Sequence, residues 1–196
     1  MNILVIGNGF DLAHDLPTRY QDFLGFVERF LNIINTPQIL QQGGLNNAEK
    51  SVYEYINHLI FSEQKLCKEL EQLVKDNIWI EYFLQNPMYQ KENWIDFESE
   101  ISFIIEQIDR TEQNLYLPFK KFSSGEHDEK VQLFLSQLSF KKYLESNFRP
   151  DNYVVTFRDF LDKSYSDLRR LVRCIEIYFL NSVSYTHLTL PTKLEV

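Results

Sequence analysis

The chain has 196 residues, a mass of 23.5 kDa and a formal net charge of −8, a length that suits one domain with a sizeable core. Hydrophobic residues make up 44% and charged residues 24%, which excludes a disordered, collagenous or low-complexity chain. No apolar run reaches the roughly 20 residues of a membrane-spanning helix, no basic leader opens the sequence, and the two cysteines, Cys67 and Cys174, fit a reducing cytoplasm better than a disulfide scaffold.

Ile3-Leu4-Val5-Ile6 is a short apolar run that reads as one buried strand. Gly7-Asn8-Gly9 breaks it, Phe10 to His14 forms a short helical turn, and Leu16-Pro17 interrupts that turn. Thr18 stands where an N-cap belongs, with Gln21 as its capping-box partner. The helix behind it places Tyr20, Phe23, Leu24, Val27, Phe30, Leu31 and Ile34 on one face. Pro37, Gly43 and Gly44 mark a loop. Helices are expected at about 48–61, with Val52, Ile56, Leu59 and Ile60, and at about 63–77, with Leu66, Leu70, Leu73 and Val74. Trp79 to Leu84 is aromatic-rich and fits either helix or strand, and Asn86-Pro87 ends it. Residues 94–110 form a further helix, capped by Asn93, with Trp94, Phe97, Ile101, Ile104, Ile105 and Ile108 in one stripe. Beyond the Ser123-Ser124-Gly125 loop, a helix at about 128–146 carries Val131, Phe134, Leu135 and Leu138. The last helix, about 157–180, carries Phe157, Phe160, Leu161, Leu168, Leu171, Val172 and Ile175.

Ile3 to Ile6 is the clear strand, with Tyr153-Val154-Val155 as a second candidate. A lone strand leaves its backbone groups unpaired, so partner strands are expected outside this stretch. The intact fold is therefore expected to be α/β, with a Rossmann-like strand, glycine loop and helix at its start, and predominantly α-helical within this chain. Val183 to Val196 has no helical period. It resembles a tail that recurs where adapter-derived DNA is read through in translation. Residues 182–196 are accordingly expected to be non-native, and residues 1–181 to form one truncated region.

Charge is uneven. Residues 1–119 hold 18 acidic and 8 basic side chains, and residues 120–173 hold 8 and 11. The acidic front discourages nucleic acid. The basic stretch, from Lys120 and Lys121 to Arg169, Arg170 and Arg173, leaves contact with RNA as one reading, but with no nucleic-acid motif beside it solvated helix faces are the favoured one.

The first chemistry-bearing unit is the strand followed by Gly7-Asn8-Gly9-Phe10-Asp11. Glycine lets the backbone turn sharply and approach a ligand. Amides opening the next helical turn attract phosphate, and this is where open α/β sheets bind nucleotides. The third glycine of a dinucleotide fingerprint is replaced by Leu12, and no Walker lysine follows, so a tight turn that binds nothing also fits. Asp11 and His14 share a face of a helical turn, where a carboxylate can orient an imidazole as a general base. The alternative is a capping Asp11 and a surface His14. Glu98 borders the apolar stripe of the 94–110 helix and is the third candidate, set against a side chain that simply reaches solvent. Asp96, in the first turn of that helix, favours its dipole. No histidine or cysteine spacing matches a metal site.

Residues 3 to 24, Ile-Leu-Val-Ile-Gly-Asn-Gly-Phe-Asp-Leu-Ala-His-Asp-Leu-Pro-Thr-Arg-Tyr-Gln-Asp-Phe-Leu, resemble the opening signature of the AbiH family, bacterial proteins associated with abortive infection. Asn93-Trp94-Ile95-Asp96-Phe97-Glu98 resembles that family's second block. The resemblance covers about residues 1 to 181 and implies a cytoplasmic antiphage protein, usually longer, with further strands after the helical region. The first loop is also similar in outline to that of sirtuin-like defence domains, which hold NAD. The expectation is a nucleotide-binding or NAD-consuming effector, with NAD or another nucleotide as its ligand. Gly7, Asn8, Gly9 and Phe10 would bind the ligand, Asp11 and His14 would orient it, and Glu98 would be a third group. The alternative is a non-catalytic helical sensing or assembly module. Expected partners are a nucleotide ligand, a phage-derived trigger and further copies in an oligomer, but not a membrane.

Overall fold

Apolar residues repeating every three to four positions close into helices wherever a polar cap starts them. The computed structural model describes residues 19–35, 47–87, 89, 96–110, 128–147 and 157–189. Among these lie the helices α1 Tyr20–Asn35, α2 Asn47–Ser62, α3 Gln64–Val74, α4 Ile78–Gln85, α5 Phe97–Arg110, α6 Glu129–Leu135, α7 Leu138–Asn147 and α8 Phe157–Thr189, and no strand. The helical character agrees with the sequence reading. The expected strands Ile3–Ile6 and Tyr153–Val155 lie outside the described residues.

The chain divides into two units, residues 1–72 with 173–196, and residues 73–172. In the first, α1 packs on α2. The buried face of α1 consists of Phe23, Leu24, Phe26, Val27, Phe30 and Ile33, while Leu31 is half-buried. Tyr55, Ile56 and Leu59 of α2 are buried in the same unit, as are Cys174 and Tyr178 of α8. Phe26 is the hub: its ring lies 5.0 Å from Tyr178 and 5.5 Å from Tyr55. Burial pushes the phenols of Tyr55 and Tyr178 well above their ordinary values, so both remain protonated.

In the second unit, α4 packs on α6 and α7, and α5 on α6. Trp79 meets Phe134 at 4.4 Å and Phe83 stacks on Phe97 at 3.9 Å. Trp79–Leu84, ambiguous in sequence, is helical because Asn77 caps it: its Oδ1 accepts from the N–H groups of Trp79 and Ile80.

Three boundaries differ from expectation. α5 starts at Phe97 and is capped by Asp96, whose carboxylate accepts from Ser99 N at 2.9 Å and from Ser99 Oγ at 2.8 Å, while Asn93, the expected cap, lies outside the described residues. These bonds hold the Asp96 carboxyl below the usual carboxylate range. The helix expected over 128–146 is two, broken at Ser136 and Gln137. Gln137 is fully buried and turns its amide onto Leu133 O, while Glu81 Oε2 accepts Ser139 N at 2.8 Å and so caps α7 from another helix. The last helix runs on to Thr189 rather than ending near 180.

Candidate functional site

Gly7, Asn8, Gly9, Phe10, Asp11 and His14 lie outside the described residues. Glu98 is exposed in the first turn of α5. The carboxylate that α5 buries is two residues on. Phe97, Glu100, Ile104 and Ile108 form its inner stripe, so Glu100 faces the core.

Glu100 is satisfied from two sides. Tyr82 of α4 donates its hydroxyl to Oε1, and Lys130 of α6 donates to Oε2 at 2.6 Å. Asn86 donates in turn to the Tyr82 hydroxyl at 3.3 Å. Burial, reinforced by Glu100, pushes the Tyr82 phenol far up, so it acts as a proton-bearing donor and not as a nucleophile. Lys130 also lies 5.3 Å from the Phe103 ring centroid. The cluster ties α4, α5 and α6 together.

Asp167 is the second buried carboxylate, 1% exposed. Its Oδ2 accepts from Ile78 N at 3.0 Å and from Lys163, and its Oδ1 from Arg170 at 2.9 Å. Its backbone oxygen accepts from Asn77 Nδ2 at 2.9 Å. Lys163 and Arg170 also donate to the carbonyls of Asp76 and Lys75, just past the end of α3, where cations favour the helix dipole. Asp76 takes the left-handed conformation, φ 50°, that ends that helix. This network staples α8 to the α3–α4 turn. Both carboxylate oxygens are occupied, each facing a cation, which suits a structural fastening more than a reacting group.

The sequence reading misses both carboxylates because it weighs the borders of the apolar stripes. The available signal is a charged residue inside a stripe: Glu100 between Phe97 and Ile104, and Asp167 with Lys163 four residues before and Arg170 three after. Cys67 is half-buried; burial, with Glu71 nearby, raises its thiol, the opposite of a reactive thiolate. Among the described residues no group of three His, Cys, Asp or Glu side chains is placed to hold a metal ion. No described helix is long and apolar enough to cross a membrane.

What the described residues define is a helical protein whose buried ionic groups fasten its helices. The chain belongs to the AbiH family, described as Bacteriophage abortive infection AbiH, which it matches over residues 3–190. Membership implies a part in abortive-infection defence against phage. The match takes in the Gly7–Gly9 loop and the Asp96–Glu98 segment and continues into the last helix. No curated protein and no solved structure gives a match.

Proposed function

We propose that this AbiH-family chain acts in abortive infection as a nucleotide-binding effector, with the loop Gly7-Asn8-Gly9-Phe10 as its ligand site. The observation that carries the reading is the family match from residue 3 onward, which includes the loop. Two glycines around Asn8 let backbone amides approach a phosphate, in a Rossmann-like strand and turn of an α/β fold. Asp11 and His14 orient the ligand, which is NAD or another nucleotide. Glu98, exposed on α5, is tested apart from the loop. A second reading, a non-catalytic sensing or assembly module, draws its support from the described helices, whose buried carboxylates Glu100 and Asp167 serve packing.

The test is phage plating on cells that express the chain. Asn8→Ala, Asp11→Ala and His14→Ala should each abolish protection while circular dichroism stays native, because polar tips of a surface loop carry little packing. Cellular NAD is followed through infection in parallel. Protection lost in the variants, with NAD constant throughout in the wild type, keeps the loop as a site and excludes NAD consumption. Three variants that still protect would leave the loop a turn and favour the module.

A further inference from the structure

Helix α8 carries two faces of interest within residues 161–172. One holds Ser164, Asp167 and Leu171, all buried. The other is Leu161, Tyr165, Leu168 and Val172, spaced four, three and four residues apart, which is the a/d pattern of a heptad. Leu161 and Leu168 are half-buried, but Tyr165 and Val172 are 43% and 49% exposed. Exposed apolar residues scattered singly are ordinary; two on one heptad seam are not.

Asp162 and Arg169 flank that seam, each directly after a d residue and both exposed. Among the described charged side chains of α8, these two make no ion pair. Lys163 and Arg170 bind Asp167, and Arg173 binds Glu69 and Glu176.

We propose that α8 pairs in antiparallel fashion with α8 of a second copy of this chain, through Leu161, Tyr165, Leu168 and Val172. The charge pattern selects both orientation and register. With Leu161 opposite Val172 of the second copy, Tyr165 falls opposite its Leu168, and every layer is apolar. That register sets Asp162 beside Arg169 of the second copy, and the two-fold axis repeats the pair. A shift by one heptad brings Arg169 against its own equivalent and Asp162 against Glu176, so like charges meet. A parallel pair gains no ion pair, because the facing flank positions, Ser164 and Leu171, carry no charge and are buried. The seam spans about 18 Å at 1.5 Å per residue, short for an obligate interface, so the dimer is weak and concentration-dependent. The pairing does not depend on the loop reading.

Sedimentation equilibrium of the full chain, from micromolar to millimolar concentration, tests it. The chain should pass from monomer to dimer. Arg169→Asp should weaken association about tenfold, and combining it with Asp162→Arg should restore the affinity. Val172→Glu should abolish the dimer and leave the thermal midpoint of the monomer unchanged. A monomer at all concentrations, or a dimer indifferent to the charge reversals, would overturn the proposal. So would a Val172→Glu variant with a lowered monomer midpoint, since a segment of the same chain would then cover the seam.

Discussion

Asp167 shows how a single charged side chain can belong to a core. It is 1% exposed, yet its oxygens meet two cations and the Ile78 amide. Removing one member of such a buried set leaves the others uncompensated, so Asp167→Ala should cost about 3 kcal/mol. Urea unfolding followed by circular dichroism measures this, and Glu98→Gln on the exposed face of α5 should stay within about 0.5 kcal/mol. An Asp167→Ala variant as stable as the wild type would mean that the α3–α4 turn is held by other contacts. Individual residues are the least legible layer of the sequence. The pattern singles out Glu98 at the edge of a stripe, while Glu100, inside the same stripe, is the buried carboxylate. The difference depends on Tyr82 and Lys130, eighteen and thirty residues away, which no helical period connects to Glu100.

Elements are more legible than residues, because a 3.6-residue apolar period needs no distant partner. α1, α2, α3 and α5 appear near their expected places. The period fails where a helix end is decided by a contact from elsewhere. Glu81 caps α7 across 58 residues, and that contact accompanies the break at Ser136-Gln137. Trp79–Leu84 is ambiguous because an apolar run shows no polar face, and the signal lies just ahead of it, in Asn77. α1 also holds an unused margin. Gly25 sits in its interior, and a Cβ there would meet only Arg29 Nη1 at 3.6 Å, an ordinary contact. Gly25→Ala should therefore raise stability by about 0.5–1 kcal/mol, read as a higher thermal midpoint. A lower midpoint would show that α1 packs more closely at Gly25 than this spacing allows.

On the scale of the whole molecule, helical character and family are both readable: the first from apolar periods, the second from the motif that opens at Ile3. The two-unit division is not, because its boundaries fall inside α3 and α8, where the sequence shows no Gly, Pro or linker composition to mark them. The strand and glycine loop at the start are the part on which a nucleotide-binding role depends, and a direct binding measurement addresses it most simply. Isothermal titration of the purified chain with NAD and, separately, with ATP should show saturable binding of one of them. His14→Ala and Asn8→Ala should remove that heat while leaving the circular dichroism spectrum unchanged. A folded wild-type chain that binds neither nucleotide, or variants that bind as well as the wild type, would contradict a ligand site in the Gly7–Phe10 loop.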